Sequence, residues 1–366
     1  MYIKNLDIAN FRNYEKQSVS LSDGLNVFMG RNAQGKTNLL EAVCLCSIGK
    51  SPRTPRDKEL IRWQQQRSRV KVVCATRAGD ESVEIILDKS ENKRVAINSL
   101  PISRMGELMG VVSTVFFSPD EIKIVSSSPT ERRQFMDIAL CQISRAYFYV
   151  LQRYNKILSQ RNKLLKSGRA TDDALEVWDL QLAENGAKII KTRRGFISRL
   201  APFAKQNHEF LTDGEETLDL SYEGIEGETL EEITAAFTDE LKKHRERDLT
   251  LGFTGVGPQK DDMKISAGGV DVRSYGSQGQ RRTAALALKL AELDLYKQEK
   301  GDSPILLLDD VLSELDKPRQ KKLLARTVGL QTVLTCTHIE DDVFADLTGY
   351  KVFNVVGGSV EDTSEI

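Results

Sequence analysis

The chain has 366 residues, of which 40% are hydrophobic and 29% charged, so it is large enough for two domains or for one domain with an insertion. Its formal net charge of −1 excludes a globally basic nucleic-acid binder, and any surface that binds a polyanion must be a local basic patch. No run approaches the roughly 20 apolar residues that span a bilayer, and the five cysteines lack the spacing of metal ligands, which together indicate a cytoplasmic protein with reduced, buried thiols and no membrane partner.

The N-terminal third of the chain predicts several strands around one strand–turn–helix unit. Residues 2–8 mix apolar and polar side chains in a strand-like pattern, and the short apolar run Leu25–Met29 ends at Gly30. After a glycine-containing turn, residues 37–48 carry apolar side chains at helical spacing. Three further strands are predicted over residues 70–75, 83–88 and 111–117.

The middle of the chain is predicted to be mostly helical. From Thr130 apolar residues recur at helical spacing as far as Leu158, and a second helical run extends from Leu175 to Phe203 after a polar turn. These two runs predict an antiparallel helical hairpin. The acidic segment 213–246 is predicted to combine a strand with another helix.

The last hundred residues return to alternating helices and strands. A glycine-rich turn precedes an Ala- and Leu-rich helix, and a fully apolar strand then ends in Asp309 and Asp310. A basic helix leads to one more apolar strand. This order predicts an α/β head formed by residues 1–118 and 248–366, with a mostly helical insertion over residues 119–247.

Residues 30–37 fit the GxxxxGK[ST] pattern of a P-loop. Glycine lets the backbone wrap closely around phosphate so that successive N–H groups point at it, and the N-terminus of the following helix adds positive charge. In this pattern Lys36 reaches the β- and γ-phosphates of ATP, and the Thr37 hydroxyl ligates Mg²⁺. The motif predicts as ATP-binding residues Gly30, Arg31, Asn32, Ala33, Gln34, Gly35, Lys36, Thr37 and Asn38.

The two aspartates after the apolar strand complement this P-loop. A buried strand that ends in a carboxylate can hold the Mg²⁺ that Thr37 also contacts, which predicts Asp309 as a second metal ligand. A second carboxylate beside it can orient or deprotonate an attacking water. The predicted catalytic residues are therefore Lys36, Asp309 and Asp310.

A second candidate site begins the Ala- and Leu-rich helix, and its residues are Ser277, Gln278, Gly279 and Gln280. Ser277 is expected to cap this helix, and Gly279 permits the close approach of another backbone. The helix N-terminus can also bind an anion. Because the P-loop already supplies one phosphate site per chain, we expect these residues to meet the nucleotide of a second subunit.

A resemblance to a known family lies in residues 10–14, 30–41, 117–120, 275–292 and 304–316. These segments are similar to those of the ABC-type ATPase heads of the SMC superfamily, and within it to the RecF-like family, over nearly the whole chain. The resemblance implies ATP and Mg²⁺ as cofactors and a homodimer that forms head to head around ATP. In that dimer Lys36 and Thr37 of one subunit would face Ser277 and Gln280 of the other.

The resemblance also implies roles for residues outside the P-loop. Arg12 and Asn13 would approach the nucleotide from the first strand, and Ser313 and Asp316 would form the D-loop across the dimer interface. Asp310 falls where related heads usually have a glutamate. Because aspartate is one methylene shorter, the ATPase is expected to be weak. For a member of this family, DNA is expected to stimulate it.

RecF-like proteins bind DNA, act with RecO and RecR, and promote RecA loading at gaps in DNA repair, replication restart and the SOS response. The resemblance therefore implies an ATP-dependent DNA clamp whose partners are single-stranded DNA and gapped or junction duplexes. Basic residues over 50–71 and 130–166 are candidate phosphate contacts, although such runs also occur on solvated faces, and Trp63 could stack on a base or lie in the core. The family's GPHRDD segment is changed here, with Gln259 and Lys260 in place of His and Arg.

Three other classes share part of this pattern. An ABC transporter subunit predicts an LSGGQ-type signature and a glutamate after Asp309, and a structural SMC organiser needs a coiled coil of hundreds of residues. A small-molecule P-loop kinase does not need the SQGQ sequence before the apolar strand. The chain has SQGQ, an aspartate at position 310 and a short insertion, and these features favour the ATP-gated clamp.

Overall fold

The computed structural model describes residues 1–168, 170–345 and 347–363. In chain order the strands are β1 (Tyr2–Phe11), β2 (Tyr14–Ser20), β3 (Leu25–Met29), β4 (Arg67–Thr76), β5 (Gly79–Asp88), β6 (Arg94–Ile97), β7 (Leu100–Pro101), β8 (Thr114–Phe117), β9 (Leu218–Glu223), β10 (Asp262–Ala267), β11 (Val270–Asp271), β12 (Ile305–Asp309), β13 (Thr332–Cys336), β14 (Lys351–Val356) and β15 (Ser359–Asp362). The α-helices are α1 (Lys36–Ile48), α2 (Lys123–Ser126), α3 (Pro129–Ile143), α4 (Arg145–Lys166), α5 (Asp172–Thr212), α6 (Leu230–Lys243), α7 (Arg245–Leu251), α8 (Val272–Tyr275), α9 (Gln278–Lys300), α10 (Lys317–Ala325) and α11 (Asp341–Phe344).

The chain divides into two compact units, the first formed by Met1–Glu121 with Lys289–Ile366 and the second by Ile122–Leu288. The sequence pattern predicts residues 248–288 in the head, whereas this division groups them with the middle of the chain. The physical reason is a three-stranded sheet of order β11-β10-β9, in which β10 pairs with β9 along its whole length. The assignment of functional domains stays a prediction.

The first unit contains two six-stranded sheets. One is antiparallel, with the order β2-β1-β4-β5-β6-β7, and the other has the order β15-β14-β3-β13-β12-β8 and is parallel except for β15. Helix α1 contacts strands of both sheets. Ten of its 13 residues are buried as a result. A helix that is covered on several sides carries apolar residues around most of its circumference, which is the pattern of α1.

The parallel strands bring the sequence motifs of the first unit to one edge. In the sheet register Cys336 of β13 lies opposite Met29 of β3, and Thr335 lies opposite Asp309 of β12. The carboxyl ends of parallel strands meet at the same edge, where ligands of α/β proteins bind. The P-loop, which follows β3, and the two aspartates at the end of β12 therefore lie at the same edge of the sheet, on either side of the end of β13.

In the second unit, the first predicted helix of the hairpin is interrupted. Helix α3 ends at Ile143 and α4 begins at Arg145, because Ser144 adopts an extended backbone with φ −138° and ψ 108°. The Ser144 side chain accepts a hydrogen bond from the Tyr147 amide at 3.2 Å and so caps α4. Helix α4 packs against α5, which has 41 residues.

The cysteines and the apolar segments of the chain are the basis of two expectations from composition. All five cysteines are buried and unbridged, and burial raises the pKa of Cys336 to about 11. In the part of the chain that the structure describes, none of the helices is both long enough and apolar enough to cross a membrane.

Candidate nucleotide-binding site

Side chains from the start of β2 and the turn before it hold the loop between β3 and α1. Gly35 has a φ of 116°, and a Cβ added there would lie 2.6 Å from Asn13 Nδ2 and 3.0 Å from the Tyr14 hydroxyl oxygen. The buried Tyr14 donates a hydrogen bond to the Gly35 carbonyl at 3.1 Å, and Asn13 Nδ2 donates to the Gln34 carbonyl at 2.8 Å. Only glycine fits both the backbone angle and the space at position 35.

The β14–β15 hairpin supports the same loop. The backbone N–H groups of Gly357 and Gly358 donate to the side-chain and main-chain oxygens of Gln34 at 2.7 and 3.1 Å. A Cβ on Gly30 would lie 2.4 Å from the Val355 carbonyl oxygen, so glycine is also required there. This hairpin is absent from the sequence prediction, although two adjacent glycines between alternating segments are a hairpin signal.

Lys36 and Thr37 open helix α1, as the motif predicts. Lys36 Nζ donates to the carbonyl oxygens of Gly30 and Arg31 at 2.5 and 3.1 Å, so the ammonium group lies across the loop. The Thr37 hydroxyl donates to Asp309 Oδ1 at 2.9 Å. The two predicted metal ligands are therefore in direct contact.

Asp309 is buried at the end of β12. Burial raises the pKa of Asp309 above its ordinary value, and hydrogen bonds from the Thr335 and Thr37 hydroxyls, each at 2.9 Å, act in the opposite direction. A cation beside this carboxylate would compensate the charge that burial disfavours. Thr335 also accepts a hydrogen bond from the Asp310 amide at 2.9 Å. Thr335 is missing from the sequence prediction, and the sheet register that places it opposite Asp309 is the signal that identifies it.

A cavity of about 370 Å³ opens over these residues. Predicted residues from the P-loop and β12 line it together with Arg53, which the sequence pattern places only in a basic run. Arg53 Nη1 donates to Asn38 Oδ1 at 3.1 Å and lies 3.7 Å from the buried Glu41 carboxylate. A second cavity of about 770 Å³ shares Asn38 and Arg53 with the first.

Arg12 and Asn13 line the second cavity. Arg12 makes a bidentate ion pair with Glu41 at 2.7 and 2.8 Å, and Glu41 is only 1% exposed. Asn13 supports the P-loop backbone and accepts a hydrogen bond from Asn38 Nδ2 at 2.8 Å. Trp63, in the same cavity lining, is 84% exposed, which excludes the core position considered for it.

Ser277 and Gln280, in the second unit, form a reciprocal capping box at the start of α9. The Ser277 hydroxyl accepts from the Gln280 amide at 3.2 Å, and Gln280 Oε1 accepts from the Ser277 amide at 2.8 Å. A Cβ on Gly279 would meet no atom closer than Ser277 Oγ at 3.9 Å. No described neighbour of Gly279 therefore gives a steric reason for glycine at this position.

The two predicted D-loop residues have local structural contacts. Ser313, on the 3₁₀ helix Val311–Glu314, donates to the Asp310 carbonyl at 2.7 Å. Asp316 caps α10 by accepting from the Arg319 amide at 2.9 Å. Both residues are exposed, and their contact with a second subunit stays a prediction.

Gln259, at the first altered position of the GPHRDD-like segment, has a structural role. Its side-chain oxygen accepts a hydrogen bond from the buried Tyr154 hydroxyl, and its Nε2 donates to the Val256 carbonyl at 2.7 Å. Lys260, at the second altered position, lies over the Phe253 ring at 5.2 Å from its centroid. Both contacts lie within the second unit.

The fold and the site define an ABC-type P-loop ATPase head. The model of the RecF/RecN/SMC N-terminal domain family matches residues 2–348. Two proteins named DNA replication and repair protein RecF are each 44% identical to the chain. The alignment with the protein of Lachnoclostridium phytofermentans covers 99% of both chains, and that with the protein of Agathobacter rectalis covers 100% of both.

Solved structures agree with this classification. The recombination mediator protein RecF of the RecFOR pathway, solved with ATP, is 36% identical to the chain, with a TM-score of 0.92 over 99% of this chain and 97% of that chain. The Smc head domain of Pyrococcus furiosus, 15% identical, has a TM-score of 0.58 over 99% of this chain and 96% of that chain, which supports the fold alone. The chain belongs to the RecF family within the RecF/RecN/SMC group. The resemblance and the fold class predicted from the sequence are confirmed.

Proposed function

We propose that this chain is a cytoplasmic, ATP-dependent, DNA-binding recombination mediator that dimerises around ATP and clamps gapped or junction DNA. With RecO and RecR it promotes RecA loading in DNA repair, replication restart and the SOS response. The observation that carries the proposal is the contact between Thr37 and Asp309 beneath the P-loop, at 2.9 Å. This contact joins the helix that follows the phosphate-binding loop to a carboxylate at the end of β12, the next strand but one from β3, as an ATP·Mg²⁺ site requires.

The residues present fit Mg²⁺. A hydroxyl and a carboxylate are hard oxygen ligands, and Mg²⁺ usually takes one or two carboxylates together with phosphate oxygens and waters. Thr37 and Asp309 would hold the ion, which supplies positive charge to the phosphates when bound. Lys36 would release the Gly30 and Arg31 carbonyls and turn to the β- and γ-phosphates. The adjoining cavity beside Trp63 has room for the nucleoside.

Hydrolysis is proposed to be slow and to require a second subunit. Asp310, next to the buried Asp309, would orient the attacking water with a side chain one methylene shorter than glutamate. Its backbone has a φ of 51°, and its amide is held by Thr335, so little adjustment of its position is available. DNA is proposed to accelerate the reaction by favouring the closed dimer.

The residues at the start of α9, here called the signature residues, are proposed to close the ATP site of a second copy of the chain; they are Ser277, Gln278, Gly279 and Gln280. The open space around Gly279 and the exposed N-terminus of α9 support this step, because both would accommodate an incoming phosphate. Ser277 would meet the γ-phosphate, and the D-loop residues Ser313 and Asp316 would lie along the same interface.

Among the candidate DNA contacts, the two basic runs differ. In the run 50–71 every arginine has an acidic partner within 4 Å, and these residues are Arg53, Arg56, Arg62, Arg67 and Arg69. Helix α4 carries six basic residues and no acidic residue, and only Arg161 of these is fully buried. We therefore assign phosphate contact to three of the exposed cations of α4, Arg153, Lys156 and Lys163.

Sedimentation with and without ATP·Mg²⁺, and with and without a duplex that carries a single-stranded gap, tests the proposed function. We expect ATP to convert monomer to dimer and only the dimer to bind DNA. Ser277→Arg is the matched variant, because it should bind ATP as a monomer and fail to dimerise. A protein that stays monomeric and ignores DNA would retain the P-loop but refute the clamp.

A further inference from the structure

A carboxylate from outside the signature residues holds the turn formed by residues 277–280, here called the signature turn. Gln280 Nε2 donates to Glu216 Oε1 at 2.7 Å, while Gln280 Oε1 accepts from the Ser277 amide at 2.8 Å. An ionised carboxylate only accepts hydrogen bonds, and a backbone N–H only donates them. Glu216 and Ser277 together therefore fix which end of the Gln280 amide faces which partner.

Glu216 is itself anchored to the core of the second unit. Its carbonyl oxygen accepts hydrogen bonds from His208 Nδ1 at 3.1 Å and from the Thr212 hydroxyl at 3.4 Å. His208 is fully buried, and both residues lie in the last turns of α5. The position of the Glu216 backbone is thus set by a helix end that is far from Gln280 in sequence.

A second set of contacts supports the residues before the signature turn. Arg281 Nε donates to the Val272 carbonyl at 3.2 Å, and Arg281 Nη2 donates to the Arg273 carbonyl at 2.8 Å. These bonds hold α8, and they leave the Ser277 amide to the Gln280 side chain. The hydrogen bond of the Ser277 amide therefore depends on the orientation of the Gln280 side chain, which Glu216 holds.

We propose that Glu216 is a positioning residue for the signature turn. Its carboxylate orients the Gln280 amide, which keeps the Ser277 amide and hydroxyl in the geometry that meets ATP bound to a second copy of the chain. The inference rests on the proposed function for its dimer step, whereas its first step, from Glu216 to Ser277, is a property of the monomer.

Hydrogen exchange of the nucleotide-free monomer tests the first step. In Glu216→Ala the Ser277 amide is expected to exchange about tenfold faster than in the unmodified chain, because its acceptor loses a fixed orientation. Glu215→Ala is the matched control, since Glu215 is exposed on the same turn and its removal takes away the same charge. Equal exchange of Ser277 in the Glu216→Ala variant and the unmodified chain would overturn the proposal.

Sedimentation with ATP·Mg²⁺ tests the second step. Glu216→Ala is expected to weaken ATP-driven dimerisation about tenfold while the ATP affinity of the monomer stays within about twofold, because the P-loop is untouched. Glu215→Ala should dimerise as the unmodified chain does. Faster Ser277 exchange with unchanged dimerisation would also overturn the proposal. If the unmodified chain itself fails to dimerise with ATP, the proposed function fails, and the exchange result still reports separately on the first step.

If Glu216→Ala folds poorly, variants that exchange the carboxylate and the amide between positions 216 and 280 keep the test valid. Gln280→Glu alone places two carboxylates together and is expected to release Ser277. Adding Glu216→Gln reverses donor and acceptor, so the new amide donates to the new carboxylate, which can accept from the Ser277 amide. Recovery of Ser277 protection in the double variant supports the positioning role, and failure to recover contradicts it.

Discussion

The P-loop and the signature turn are both glycine-containing turns that precede a helix, but they differ in how closely other side chains approach the glycine. Around the P-loop, Asn13 and Tyr14 approach so closely that Gly35 has no alternative residue. Around the signature turn, Gly279 lies in open space, and Ser277 and Gln280 satisfy each other. The described neighbours of the P-loop fill the space around its glycine, whereas those of the signature turn leave the space around Gly279 open.

This difference separates two uses of glycine. In the P-loop glycine is needed for the conformation of the loop itself, because a side chain there would clash with Asn13 and Tyr14. Among the residues that the structure describes, no such neighbour approaches Gly279, and its proposed use is to admit a group from a second copy of the chain. The same substitution at the two positions should therefore affect different steps.

The largest effect is expected from Gly35→Ala. An alanine at a φ of 116° is strained and would contact Asn13, so ATP affinity should fall by at least about a hundredfold. Gly279→Ala is the matched variant, and it should leave monomer ATP affinity unchanged while weakening ATP-driven dimerisation about tenfold. Calorimetric titration with a slowly hydrolysed ATP analogue measures the first quantity, and sedimentation the second. Loss of monomer ATP binding in Gly279→Ala would refute the contrast.

A smaller effect is expected at the carboxylates after β12. Asp309→Asn keeps an oxygen for the Thr37 hydroxyl but removes the charge, so the gain in ATP affinity from Mg²⁺ should shrink by about tenfold. Asp310→Asn should retain the Mg²⁺ effect on binding and slow hydrolysis instead. Titrating ATP with and without Mg²⁺, and measuring phosphate release, separates the two aspartates. Equal effects on binding would mean that both carboxylates contact the ion.

Much of the first unit could be predicted from the sequence because its motifs are contiguous. The P-loop glycines, Lys36 and Thr37 lie within eight residues, and the apolar strand before Asp309 marks its own carboxyl end. Thr335 could not be identified in this way, because its role comes from pairing between β12 and β13. The contacts of Asn13 and of the β14–β15 hairpin with the P-loop likewise join residues far apart in sequence.

The second unit was less predictable for a related reason. The helical spacing of apolar residues does not reveal that the helix is interrupted at Ser144. The new helix α4 is capped there by one hydrogen bond to the Ser144 side chain. In the sequence, Arg132 and Arg161 belong to a run that suggests a basic face. In the structure both arginines are buried, and Arg132 pairs with Asp262 at 2.6 Å and Arg161 with Asp248 at 2.7 Å. Charge runs do not reveal which members have partners from other elements.

A still smaller loss of ATP affinity is expected from Asn13→Ala, which removes support from the P-loop, because Asn13 does not line the phosphate cavity. Asn13 donates to the Gln34 carbonyl and accepts from Asn38, and losing two such hydrogen bonds should weaken ATP binding about fivefold. Asn13→Asp is the informative partner, since it keeps the acceptor and loses the donor. If both variants bind ATP as the unmodified chain does, the loop does not need this support.

The smallest effect is expected from Ala33→Gly, the reverse of the first substitution. Ala33 has a φ of 64°, a left-handed conformation that costs an ordinary residue roughly 1–2 kcal/mol, whereas glycine adds about 0.5–1 kcal/mol of chain entropy in the unfolded state. The net result should be a gain of about 0.5 kcal/mol and a rise of about 1 °C in the thermal midpoint of the nucleotide-free protein. Ala33→Val should lower the midpoint, because a β-branched residue tolerates positive φ poorly. A lower midpoint for glycine together with no change for valine would exclude the left-handed turn at this position.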